Sequence, residues 1–153
     1  MTDDLTIRAA LPADLPAIIA LHEGDELGGH GDAWTEENRP AYQRAMEALL
    51  NDPREYVLVV VHKGVLVGSM IATLLVELSG RARPHVLFRS IQIDARYRGR
   101  GIGAAMMAHA EDDARRRGAS VAELTSSRKR TDAHRFYDRL GYVQSHLGFK
   151  KKL

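Results

Sequence analysis

The stretch Arg98-Gly-Arg-Gly-Ile-Gly103 constrains this 153-residue chain more than any other, because it joins an apolar run, Val86 to Ile93, to an amphipathic run that follows Gly103. A strand that turns through glycines into a helix leaves the first helical N–H groups without intrahelical partners. The aligned peptide dipoles add partial positive charge at the same place. Glycine keeps Cβ atoms off the inner surface of such a turn, so a bulky diphosphate can approach the main chain. Arg96, Arg98 and Arg100 surround the turn with fixed positive charge. A pyrophosphate-bearing cofactor is the expected ligand.

The length fits one domain, residues 1–153, with enough chain to bury its own core and too little for two ordinary domains. Basic residues number 22 against 20 acidic, and the resulting net charge of +2 does not describe a polycationic surface, so no nucleic-acid partner is expected. Cysteine is absent, which removes disulfides, thiolate metal ligands and cysteine nucleophiles. Met1 to Ala20 has no basic cluster followed by an apolar block, and no apolar run approaches the roughly 18 residues of a membrane span. The expectation is a cytoplasmic protein with no membrane partner.

Leu5 to Ala9 reads as a first strand, and Pro12 or Pro16 opens a helix whose Leu15, Ile18, Ile19 and His22 share a face before Gly24 ends it. Asp25 to Trp34 holds three glycines and the acids Asp25, Glu26 and Asp32 without helical or strand period. It reads as a loop of the kind that often touches substrate; its acids could attract a cationic amine, though solvation is the reading preferred here. A second helix starts between Thr35 and Pro40, carries the stripe Tyr42, Ala45, Met46 and Leu49, and stops at Asp52-Pro53. Tyr56 to Val61 and Val65 to Leu78 form a hairpin turned at Lys63-Gly64, and Gly80 to Pro84 turns the chain into a fourth strand, His85 to Ile93. After Gly103 the residues Met106, Met107, Ala110 and Ala114 face a core, and Gly118 ends that helix. Ser120 to Ser126 is a fifth strand. A short helix capped by Thr131 or Asp132 then carries Ala133, Phe136, Tyr137 and Leu140 to Gly141, and two last strands are expected near Tyr142 to Gln144 and His146 to Lys151. The fold class is α/β with a mixed sheet (α+β), in the order β-α-α-β-β-β-α-β-α-β-β.

That order, with two local motifs, resembles the GCN5-related N-acetyltransferase (GNAT) superfamily over nearly the whole chain. Arg98-Gly-Arg-Gly-Ile-Gly103 matches the family's Arg/Gln-x-x-Gly-x-Gly/Ala loop, and Ile91-Gln-Ile93 matches the apolar-x-apolar strand end before it. His134-Arg-Phe-Tyr-Asp-Arg-Leu-Gly-Tyr142 matches the second signature. A narrower resemblance, carried by residues 130–137 and 145–150, is to small-molecule amine acetyltransferases, including aminoalkylphosphonate acetyltransferases. The family resemblance implies acetyl-CoA as acyl donor, its pyrophosphate held by Arg98, Gly99, Arg100, Gly101, Ile102 and Gly103. It further implies that the main chain of Ile91, Gln92 and Ile93 meets the acetyl carbonyl and pantetheine where strands four and five splay. Direct attack by the primary amine of a small molecule in a ternary complex follows from the same resemblance, as does a homodimer by family habit.

Tyr137 falls where the family places its general acid. A phenol with an ordinary pKa of about 10 stays protonated at neutral pH and can give its proton to a departing thiolate; by spacing alone Tyr137 also lies on a packed helical stripe. Two positions depart from the family pattern. Arg89-Ser90 stands where many relatives carry a glutamate on strand four, and Arg130 stands where many carry an asparagine. The acceptor of the ammonium proton is therefore open among Glu123, His85 and a water chain through Ser90 and Gln92.

Other readings are weaker. Gly99-x-Gly101-x-x-Ala104, with Glu123 about twenty residues on, also satisfies a dinucleotide fingerprint, but it follows a hairpin-rich half and does not open a βαβ unit. The seven histidines lack ligand spacing, so no metal is expected. A non-catalytic acyl-CoA sensor and a protein or peptide N-acetyltransferase remain as alternatives.

Overall fold

The computed structural model describes residues 4–25, 27 and 30–153. Five strands form one sheet in sequence order: β1 (Leu5–Ala9), β2 (Glu55–His62), β3 (Val65–Leu75), β4 (His85–Ile93) and β5 (Val121–Leu124). Neighbours are antiparallel except β4 and β5, which are parallel. The helices that pack on the sheet are α1 (Leu15–Glu23), α2 (Arg39–Asn51), α3 (Ile102–Arg116) and α4 (Thr131–Arg139). Among the described residues no helix is long and apolar enough to cross a membrane.

Alternation along β2 sorts the core into two layers. Tyr56, Leu58 and Val60 join Met106, Met107, Ala110 and Ala114 of α3, whereas Val57 and Val59 join Leu15, Ile18 and Ile19 of α1 and Met46 of α2. A strand covered on both faces must be apolar almost throughout, which explains the unbroken run from Tyr56 to Val61. Before α1, the Asp14 carboxylate accepts the Leu11 N–H at 2.7 Å and two bonds from the Arg8 guanidinium at 2.7 and 2.9 Å. The Arg8 hydrogen bonds hold its carboxyl below the ordinary carboxylate range.

Two expectations change. β3 stops at Leu75, and Val76 and Leu78 beyond it stand in solvent. Residues 142–153 carry no strand where two were expected, with Val143, Leu147 and Phe149 exposed, so the sheet ends at β5 among the described residues. Apolar content marks a segment as able to pair but does not supply a neighbouring edge.

β4 contains the irregularity that shapes the site. Ser69 pairs with Gln92 while Ile71 pairs with Arg89, so β4 holds one residue more than β3 between those rungs. Ser90 sits in this bulge with a left-handed φ of 52°. One added residue reverses the alternation: Val86 and Phe88 face the α3 core before the bulge, Ile91 and Ile93 pack toward it after, and Gln92 turns to the opposite side.

Candidate active site

β4 and β5 separate inside the sheet. Their pairing runs from His85 opposite Val121 to Phe88 opposite Leu124 and stops, while β4 continues to Ile93. The next residue, Asp94, donates its N–H to the Val67 carbonyl of β3 at 2.9 Å. By alternation, the N–H and carbonyl of Ile93 therefore point away from β3 into the gap. The Ile93 carbonyl accepts Arg98 Nε there at 3.0 Å, and the exposed amide edge is suited to donate to a ligand carbonyl. Gly68 allows β3 to lie this close, since a Cβ on it would stand 2.6 Å from Ile93 Cδ1.

The turn that follows has the shape expected of it, with different reasons for its glycines. Gly99 and Gly101 have φ of 73° and 80°, and a Cβ on either would meet nothing within 4 Å, so both serve the left-handed backbone. The first α3 bond runs from the Ala105 N–H to the Gly101 carbonyl at 3.0 Å, so the amides of Ile102, Gly103 and Ala104 precede the helical ladder. Gly103 lies inside α3, where a Cβ would stand 3.3 Å from the Phe136 ring. Glycine at 103 thus also admits α4.

The three arginines divide. Arg96 is tied to Asp94, its guanidinium donating at 2.7 and 3.1 Å, so it does not stand at the turn as an unpaired charge. Arg98 reaches the Ile93 carbonyl, and the Arg100 guanidinium lies 5.4 Å from the centroid of the Tyr97 ring. Arg98 and Arg100 form no ion pair among the described residues, which leaves their charge at the rim of the turn.

Tyr137 projects from α4, its ring 5.3 Å from that of Phe136 and 6.1 Å from that of Tyr142. The Tyr142 hydroxyl donates to Glu111 Oε1 at 2.8 Å and pins the end of α4 to α3. Burial pushes the Tyr137 phenol above its ordinary 10 while the Arg130 guanidinium opposes the shift, so the phenol holds its proton at neutral pH.

Asp25 is the residue that sequence reasoning undervalued. Expected in solvent, its side chain is only 8% exposed, and its Oδ2 accepts Gln92 Nε2 at 2.8 Å together with the Arg130 guanidinium. The loop after α1, the end of β4 and the start of α4 therefore meet at one carboxylate oxygen. Glu26 lies outside the described residues. His85 and Glu123, two proton acceptors left open, bind each other at 3.0 Å at the closed end of the β4–β5 pair, away from the gap. Arg89 donates to Glu55 at 2.8 Å and to Thr73 at 3.0 Å, a link across three strands. A signal for Asp25 was present in its place immediately after Gly24, where α1 releases the chain. The bulge that aims Gln92 at it had none.

A family model described as Acetyltransferase (GNAT) family matches residues 17–142. Aminoalkylphosphonate N-acetyltransferase of Salmonella typhimurium is 54% identical over 56 residues, a match spanning 37% of this chain and about a third, 36%, of that protein. A transcriptional regulator from Bacillus halodurans C-125 has the same fold, with a TM-score of 0.93, 28% identity, and coverage of 97% of this chain and 99% of that one. AAC(6')-Iy in complex with the bisubstrate analog CoA-S-monomethyl-acetylneamine gives a TM-score of 0.79 at 18% identity, covering 97% of this chain and 98% of that one; this likeness concerns the fold alone.

Proposed function

Because the chain belongs to the acetyltransferase (GNAT) family, we propose that it transfers the acetyl group of acetyl-CoA to the primary amine of a small molecule by direct attack in a ternary complex. The observation that carries this reading is that β4 outruns its pairing with β5 over the residues that lead into the glycine turn. Acetyl-CoA supplies a thioester at one end and a diphosphate further along. The amides from Gly99 to Ala104, with Arg98 and Arg100 beside them, suit the diphosphate. The amide edge of Ile91, Gln92 and Ile93 suits the acetyl carbonyl and pantetheine, polarising the carbonyl as negative charge develops on its oxygen.

The amine nitrogen bonds to the acetyl carbon, the carbon–sulfur bond breaks, and the sulfur takes the Tyr137 phenolic proton as it leaves. The nitrogen gives up one proton on forming the amide, and Tyr137 recovers one from solvent. The sequence has no cysteine to carry an acetyl group, in keeping with direct transfer. A small amine as acceptor is supported by the name of the Salmonella relative, an aminoalkylphosphonate acetyltransferase, over the third of its length that aligns.

The test is release of free CoA from acetyl-CoA across polyamines, aminophosphonates, amino acids and peptide N-termini, with mass spectrometry of the products. Acetylated small amines are the expected result. Binding of acetyl-CoA with no release across the panel would replace the reading with an acyl-CoA sensor. An acetyl group trapped on the protein during turnover would contradict direct transfer.

A further inference from the structure

The sheet face that carries α1 and α2 holds a cavity of about 260 Å³. Ile18 and Ile19 of α1, Met46 of α2 and Ile71 of β3 give it apolar walls, and its polar groups come from His22, His30, Asp32, Tyr42, Ser69 and Ser90. It reaches Ser90, which directly precedes Ile91 at the gap proposed for the acetyl carbonyl. Resting on the transfer reading, we propose that this cavity receives the acceptor, a compact primary ammonium with an apolar body and no anionic group, and that the His22 imidazole takes its proton.

Three independent observations support that occupant. Ser69 borders the cavity and is 1% exposed, and its Oγ, sealed from solvent, has no hydrogen-bond partner among the described residues. Buried hydroxyls are rarely left so, and a turn of the Ser69 side chain toward the cavity would let an incoming N–H group satisfy it. Among the described residues the lining includes an acid and neither lysine nor arginine: Asp32 is half-buried and fixed by the Tyr42 hydroxyl, which donates to its Oδ1 at 2.8 Å. A cation gains a counter-charge here, whereas a phosphonate would face the Asp32 carboxylate with no lysine or arginine among the described lining residues to offset its charge. The cavity's volume is just below the usual small-molecule range of about 300–1,000 Å³, which favours a compact acceptor.

His22 ends α1 at the polar side of the cavity. Burial pushes its imidazole below the ordinary 6.5 and His30 acts in the same sense, while Asp32 and Asp25 oppose; Tyr42 faces the group from α2, and the sheet presents the uncharged Ser69 and Ser90. The ring is therefore neutral at pH 7. The proton passes from the ammonium nitrogen to an imidazole nitrogen, the freed lone pair attacks the acetyl carbon, and the imidazolium returns the proton to solvent.

The experiment is steady-state acetylation at saturating acetyl-CoA, with n-hexylamine set against 2-aminoethylphosphonate. The expected preference in kcat/KM is about 100-fold or more for hexylamine, the scale of one unpaired buried charge. Ser69→Ala should raise the amine KM about 3- to 10-fold with acetyl-CoA affinity kept and Tm equal or higher, since no internal hydrogen bond is lost. His22→Gln should lower kcat and flatten the acid limb of the pH profile. Preference for the phosphonate, or wild-type kinetics in both variants, overturns the inference while leaving acetyl transfer intact. Acetyl-CoA binding without turnover of any amine removes the transfer reading and this inference with it.

Discussion

Replacing Gly101 and Gly103 in turn by alanine separates two reasons for glycine two residues apart. Gly101 has a φ of 80° and open space around a Cβ, so Gly101→Ala makes no clash and acts through the backbone alone. An L-residue in the left-handed region costs about 1–2 kcal/mol. For a chain of this size each kcal/mol moves Tm by about 2–4 °C, so a fall of about 2–8 °C is expected. If the turn relaxes to relieve the strain, the amides after it lose their common direction. Loss of one charge-assisted hydrogen bond, about 1.5–3 kcal/mol, should weaken acetyl-CoA binding about 10- to 100-fold. Gly103 sits in right-handed helix, where alanine is favoured by about 1 kcal/mol, but the added carbon would lie 3.3 Å from the Phe136 ring. Phe136 must then shift, and Tyr137 beside it moves with α4. Gly103→Ala should therefore lower kcat more than it weakens acetyl-CoA binding. Scanning fluorimetry, calorimetric titration and steady-state rates read these quantities. An unchanged Tm for Gly101→Ala, or the same binding loss in both variants with kcat intact, would refute the reasoning.

Tyr137→Phe should lower kcat by about 10²- to 10⁴-fold with acetyl-CoA affinity unchanged, and wild-type turnover would remove the phenol from the chemistry. Asp25→Asn should destabilise the fold by about 2–4 kcal/mol in urea titration, because it leaves Arg130 without its charged partner; unchanged stability would mean that the loop and α4 are not coupled there. Asp14 has a pKa depressed below its ordinary 3.8, so its contribution is present above that value and lost as pH falls through the folded value. Asp14→Ala should cost about 1 kcal/mol at neutral pH and make urea midpoints less sensitive to acid below about pH 4; parallel curves for both proteins would contradict this.

The parts of this fold that rest on local chemistry were legible in the residues. The unbroken apolar run of β2, the stripe Met106, Met107, Ala110 and Ala114, and the glycines at 101 and 141 each carry their reason within a few positions, and the structure places them as expected. Features decided by long-range pairing were not. Whether residues 142–153 form strands depends on an edge elsewhere in the chain, which those residues do not show, so the two strands expected there are not found. The bulge at Ser90 leaves no mark in composition, yet it turns Gln92 toward Asp25 and changes that acid from a solvated loop residue into a buried junction. Likewise, the charge pattern around the turn does not show that Arg96 pairs with Asp94. Gly103 has a further reason that its neighbours in sequence do not show, the ring of Phe136, 33 positions later, beside it.

The account depends on the coenzyme lying along the amides of the glycine turn with its thioester in the gap beside β4. Titration of the isotopically labelled protein with acetyl-CoA, followed amide by amide by heteronuclear NMR, tests this most directly. The largest shifts should fall on Gly99 to Ala104 and on Ile91 to Ile93, saturating together. Saturable binding that leaves those amides unmoved and shifts another face of the sheet would contradict it.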